Sequence, residues 1–103
     1  MAVKTSNRRT ARVSCEAPAK AEGPRGPIRG TCRSLSQGGM FFSGTQLPVG
    51  QSVELSVQLP SGQFLAVGQV RYHHTDALGP GMGIKFTRLA QDHLSRIVQF
   101  VGA

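Results

Sequence analysis

The sequence predicts a mainly β fold: a small six-stranded antiparallel β-barrel with a C-terminal α-helix. Three observations carry this. Short stretches alternate apolar and polar residues, most clearly Val53, Leu55, Val57 and Leu59 against Glu54, Ser56 and Gln58. Thirteen glycines and six prolines among 103 residues cut the chain into short pieces, which favours strands and turns over long helices. After that the period changes: Leu89, His93, Leu94, Ile97, Val98 and Val101 recur at three and four residues, the stripe of an amphipathic helix. So small a sheet exposes its edges and inner face unless it curls into a barrel plugged at one end, and a terminal helix suits that task.

The elements follow in order. Residues 1–10 are polar, charged and aperiodic, and read as a flexible basic arm ahead of a domain spanning 11–103. Val13, Cys15, Ala17 and Ala19 alternate with polar neighbours as a first strand, and Pro18 marks it as an edge. Residues 21–27 are a turn by composition. A second strand runs over 28–35, with Ile28, Cys32 and Leu35 as its apolar markers. The step from 32 to 35 breaks alternation, so a bulge or strand end falls near Arg33. Residues 36–39 turn, Met40, Phe41 and Phe42 form a short strand, and 44–50 connect onward. The strand of Val53 to Leu59 is joined by a turn at 60–63 to its partner at 64–74, where Gly68 predicts a bulge or bend. Residues 75–81 turn again, and Met82, Ile84 and Phe86 alternate on the last strand. Thr87 is the candidate helix cap, Asp92 lies in the first turn, and Gly102 ends the helix.

At this length the chain forms one domain with a small core. One Tyr, five Phe and no Trp leave much of the packing to Val, Leu, Ile and Met. No apolar run approaches the roughly 20 residues of a membrane span, so membrane insertion is not expected. The charged N-terminus lacks a secretion signal, which makes the cytoplasm the expected location. Cys15 and Cys32 lack C-x-x-C spacing and read as two reduced, half-buried thiols; the alternative is a disulfide between neighbouring strands, against which the expected compartment argues. His73 and His74 are adjacent on a strand, face opposite sides and cannot share a metal.

Charge is placed unevenly. Eight of the twelve basic residues, against two of the five acidic ones, lie in residues 1–33, which leaves +6 of the net +7 there. This asymmetry implies an anionic partner: a nucleotide, a nucleic acid or an acidic protein. The cluster Arg8-Arg9-Thr10-Ala11-Arg12 supplies guanidinium forks that suit phosphate oxygens and the O6/N7 edge of guanine. Ser34-Leu35-Ser36-Gln37-Gly38-Gly39 supplies hydroxyls and the free N–H groups of a glycine turn. Arg33, just before that turn, is a weaker candidate for a phosphate. No G-x-S-x-G, P-loop or H-E-x-x-H stands in the chain, and neither Glu54 nor Asp92 has an evident acid–base partner. A non-enzyme is therefore expected, with neither a metal nor a cofactor.

These two segments resemble the signature of PilZ domains, R-x-x-x-R followed one strand later by [D/N]-x-S-x-x-G. Arg8 and Arg12 match the first half, with Arg9 inside it, and Ser36 and Gly39 match the second. Gly39-Met40-Phe41-Phe42 and Gly81-Met82-Gly83-Ile84-Lys85-Phe86 are similar to the family's later strands, in the same order. The resemblance implies a cytoplasmic bacterial receptor for cyclic di-GMP, with Arg8, Arg9, Arg12, Ser34, Ser36 and Gly39 as ligand-binding residues. It implies an arm that folds over the ligand and an unidentified downstream protein that receives the signal. Ser34 stands where the family usually has Asp or Asn. A carboxylate would accept from guanine N1–H and N2–H₂ together, whereas a hydroxyl accepts only part of that pattern. Losing one such contact costs about 1–3 kcal/mol, roughly 5- to 150-fold in affinity. One alternative is a degenerate adaptor that binds protein without nucleotide. A basic barrel for single-stranded nucleic acid ranks last, because residues 1–33 hold no aromatic residue for base stacking.

Overall fold

Alternation sets the strands in the structure, a computed structural model that describes residues 12–102. They are β1 (Val13–Gly23), β2 (Gly26–Leu35), β3 (Gly39–Ser43), β4 (Ser52–Leu59), β5 (Gly62–Asp76) and β6 (Gly79–Leu89), followed by the helix α1 (Gln91–Val101). Every neighbouring pair is antiparallel, and the order β1-β2-β3-β6-β5-β4 closes on itself where β4 meets β1. The expected six-stranded barrel with a terminal helix is therefore present. Val53, Leu55, Val57 and Leu59 point inward as their alternation predicts, as do Met82 and Ile84. Ala17, Ala19 and Ala21 line the inside of β1. Phe42 is fully buried and lies across Gly30, where a Cβ would come within 2.6 Å of the ring.

Hairpin pairing shortens three turns expected from composition, and the one at 60–63 shrinks to Pro60 and Ser61. β1 continues to Gly23 and β2 starts at Gly26, so the turn at 21–27 shrinks to Pro24 and Arg25. Ala21 and Glu22 are held in strand form because each pairs with β2 on one side and β4 on the other. Likewise β5 runs to Asp76 and β6 begins at Gly79, leaving only Ala77 and Leu78 of the expected turn at 75–81. The Asp76 carboxylate fastens that turn by accepting the Leu78 N–H at 2.8 Å. A closed barrel has no edge strand, but β1 meets β4 only from Ala19 to Glu22. Pro18 thus sits where β1 has a neighbour on one side. The bulge foreseen at Arg33 is present. The register also shifts at Gly68, where the extra residue is Thr87 on β6, and two more irregularities interrupt β1 between Ser14 and Ala17 and β5 between Val70 and Tyr72.

The helix buries Ile97 completely and packs Phe100 and Val101 against the core. The sequence stripe omitted Phe100. Thr87 does not cap the helix: it belongs to β6, and its hydroxyl donates to Val67 O at 3.2 Å. The cap position is Ala90, which offers no side-chain acceptor. Gly102 ends the helix at φ 74°, and its N–H reaches Val98 O at 3.1 Å. The helix also completes the sheet. β6 pairs with β5 only from Ala66 onward, which leaves the backbone of Gln63 and Leu65 open on that side. Arg96 donates to Gln63 O, and His93 Nδ1 accepts the Leu65 N–H at 3.0 Å.

Two outcomes follow. Ile97→Ala is expected to cost about 2–5 kcal/mol in chemical denaturation, while Asp92→Ala, at an exposed site, stays within about 0.5 kcal/mol. Burial pushes both the Cys15 and Cys32 thiols above their ordinary value of 9.0, and at Cys32 the neighbouring Cys15 adds to the effect. A raised folded-state value favours the protonated fold, so this stability is present below about pH 9 and is lost as pH rises beyond it. Stability measured from pH 8 to 11 should fall more steeply in the wild type than in Cys32→Ala.

Candidate functional site

The turn at 36–39 is built before it can bind anything. Ser36 N–H donates to Gly39 O at 2.9 Å, and Gly38 N–H donates to Ser36 Oγ at 3.3 Å. Ser36 is only 3% exposed, and its hydroxyl also reaches Gly39 O at 3.4 Å. Phe86 N–H donates to Gly38 O at 2.8 Å and ties the turn to β6. Gly39 lies so close to β6 that a Cβ would come within 2.3 Å of Ile84 O. Ser36 thus fixes the turn internally, and Gly39 lets it lie on the neighbouring strand. That structural role stands beside any contact with a ligand.

A recess of about 270 Å³ opens over this joint. Arg12, Ser36, Gly38 and Gly39 line it from one side, and Arg71, Tyr72, Gly83 and Lys85 from the other. Arg12 directs a guanidinium nitrogen to Ser34 Oγ at 3.1 Å, so Ser34 holds the arginine at the rim. Of the six residues expected from the sequence, the structure brings Arg12, Ser36 and Gly39 to one recess, with Ser34 attached through Arg12. Arg8 and Arg9 lie outside the described residues. Three cations line the recess and no carboxylate does. Such an arrangement attracts an anion and repels a cation.

The sequence reading missed Arg71, Tyr72 and Lys85. Arg71 sits at the β5 bulge between Val70 and Tyr72. Lys85 pairs in register with Gly39. Beside them Tyr72 lies over Gly83, where a Cβ would meet the ring at 2.1 Å, and Phe41 lies over Gly81 in the same way at 2.4 Å. The two rings stack with centroids 6.4 Å apart, and His74 meets Phe41 edge-on at 6.2 Å. The glycines of the Gly81-Met82-Gly83 run therefore seat an aromatic layer on the outer wall. Tyr72 is 52% exposed, so part of its face is open to a planar partner.

Arg33 is engaged elsewhere. Its guanidinium contacts the Glu16 carboxylate at 2.7 Å, and it does not line the recess. His73 Nε2 lies 2.6 Å from Leu47 O, while His74 lies 3.9 Å from Asp76. Among the described residues no group of three or more potential ligands could hold a metal ion. A larger cavity of about 650 Å³ lies between β1, β4, β5, the end of β6 and α1, lined by Glu22 and Glu54 as well as Lys20 and Arg88. It shares no lining residue with the recess, and its mixed charge gives no preference for an anion. No helix among the described residues is long and apolar enough to cross a membrane.

Comparison with known families matches residues 6–103 to the PilZ domain. No curated protein matches the chain. Among solved structures, the inhibitor of motility MotI/DgrA of Bacillus subtilis superposes with a TM-score of 0.79 at 19% identity, over 88% of this chain and 47% of that one. YcgR of Escherichia coli in complex with c-di-GMP gives 0.78 at 17% identity, over 88% of this chain and 42% of that one. The isolated PilZ domain of YcgR with c-di-GMP gives 0.70 at 15% identity, over 88% and 86%. This chain thus spans less than half the length of the first two proteins, and at these identities the likeness is one of fold.

The packing of the turn generates a paired expectation. Gly39→Ala forces β3 away from Ile84 O and should lower the melting temperature, through a destabilisation of about 1–3 kcal/mol typical of overpacking. Gly38→Ala, which meets nothing within 4 Å, should leave it within a degree or two. Thermal denaturation of the two variants decides it.

Proposed function

The chain belongs to the PilZ domain family, and we propose that it is a receptor for cyclic di-GMP rather than an enzyme. The observation that carries this reading is the convergence of Arg12, Arg71 and Lys85 on one recess with no carboxylate among its lining residues. The complexes of YcgR with c-di-GMP support the choice of ligand. Each phosphate of such a ligand is met by guanidinium and ammonium donors, whose charge-assisted bonds are about twice as strong as neutral ones. The exposed face of Tyr72 offers a stacking surface to a guanine.

The size of the recess says how the ligand is held. At about 270 Å³ it lies below the roughly 300–1,000 Å³ of sites that enclose a small molecule. Only part of a cyclic dinucleotide fits, and the rest must be covered from outside. In this reading Arg8 and Arg9 do so, with Arg12 as the point where the arm joins the barrel. Ordering the arm costs about 1–2 kcal/mol per residue in backbone entropy, which contacts from Arg8 and Arg9 to phosphate offset. The covered surface then differs between free and bound protein, and a partner protein that reads the difference receives the signal.

Calorimetric titration of cyclic di-GMP into the protein is expected to show saturable binding that weakens as salt is raised. Arg12→Ala, Arg71→Ala and Lys85→Ala should each weaken it by about 10- to 150-fold, the 1.5–3 kcal/mol of one hydrogen bond to a charged group. Ser34→Asp should tighten it. Absence of binding in the wild type, or unchanged affinity in all three alanine variants, would overturn the proposal.

A further inference from the structure

Cys15 and Cys32 meet across β1 and β2 at the place where both strands are irregular. β1 bulges between Ser14 and Ala17, and β2 bulges between Cys32 and Ser34. The two sulfurs are 3.7 Å apart. Cys15 donates its S–H to Cys32 O at 3.1 Å, and Cys32 donates to Ser34 O at 3.4 Å. Both thiols are free. Their surroundings differ: Cys32 is fully buried, while Cys15 is half-buried and lines a surface cavity of about 410 Å³ with Leu59, Pro60 and Phe100. A small solute entering that cavity reaches Cys15 first and finds Cys32 directly behind it.

We propose that this pair is a modification site, a dithiol that a peroxide closes to an intramolecular disulfide. The Cys15 thiolate attacks one peroxide oxygen, the O–O bond breaks, water leaves after taking up a proton, and Cys15 becomes a sulfenic acid. The Cys32 sulfur then attacks the Cys15 sulfur, the S–O bond breaks, the S–S bond forms and a second water leaves. In sum the two thiols lose two electrons and two protons, and one peroxide is reduced to two waters. Closing the bond requires the sulfurs to approach by roughly 1.7 Å to the 2.05 Å of a disulfide. The cavity beside Cys15 and the extra residue of the β1 bulge give that sulfur room to turn. Burial keeps both thiols protonated at neutral pH, so reaction is slow there and quickens as pH rises. The bond staples β1 to β2 three residues after Arg12, at the foot of the arm. It requires no nucleotide, so it stands or falls independently of the receptor reading.

The test exposes the full chain to hydrogen peroxide and follows intact mass, peptide mapping and thermal melting. The expected result is loss of two hydrogens, a Cys15–Cys32 cross-linked peptide, unchanged monomer size and a raised melting temperature, all reversed by dithiothreitol. In Cys15→Ser, Cys32 should remain a thiol under the same exposure, since the reachable sulfur is gone. Sulfinic or sulfonic acid at Cys15 beside a free Cys32 in the wild type would overturn the proposal. So would a disulfide between two chains, or an internal bond that lowers the melting temperature and therefore forms only by distorting the barrel.

Discussion

The whole arrangement depends on how closely β3 approaches β6. These strands are far apart in sequence, yet their pairing joins the meander β1-β2-β3 to the meander β4-β5-β6. The joint is tight because Gly39 lets β3 lie against Ile84 O, and because Gly38 O accepts the Phe86 N–H. Everything in the recess straddles this seam. Arg12 and the 36–39 turn come from the first half, while Arg71, Tyr72 and Lys85 come from the second. A looser seam would separate the cations as well as open the barrel. Fold stability and site geometry are thus linked here, because the contact that closes the wall also sets how far Arg12 lies from Arg71 and Lys85.

The same economy shows in the side chains. Ser36 is spent on its own turn, accepting from Gly38 N–H while buried at 3% exposure. What it provides to a ligand is a fixed backbone more than a free hydroxyl. In the proposed complex gripping falls to the cations, and the structure separates those that are paired from those that are not. Arg33 is paired with Glu16. Arg71 and Lys85 have no salt-bridge partner among the described residues. Like charges gathered without a counterion disfavour one another, and an anion that binds between them relieves that repulsion. Ser34 contributes at one remove by holding Arg12 at the rim.

Much of the fold was legible in the sequence because it is written locally. Alternation at residues 53–59 and 82–86, the broken alternation near Arg33, and Gly68 each announced a feature that the structure contains. Errors arose where a neighbour outside the local window decides. Composition made 21–27 a turn, but β4 holds Ala21 and Glu22 in strand form. Thr87 resembled a cap, but pairing of β6 with β5 carries it past that position into the sheet. The site divides in the same way. Arg12, Ser36 and Gly39 form a linear pattern. Arg71 and Lys85 are two of only four basic residues after residue 33, and nothing in one dimension brings them to the turn. Their arrival depends on the strand order β3-β6-β5. The alternation of Met82, Ile84 and Phe86 did place Lys85 on the outer face, a signal that becomes useful once that order is known.

The central claim is that a cyclic dinucleotide sits on the seam between the two halves of the barrel. Backbone amide NMR of the full chain during titration with cyclic di-GMP tests it most directly. The account predicts shifts clustered at Arg12, Ser34, residues 36–39, Arg71, Tyr72 and residues 83–85, together with Arg8 and Arg9 becoming more ordered. Shifts confined to the cavity of Leu65 and His93, or an arm whose motion is the same at saturation as without ligand, would contradict it.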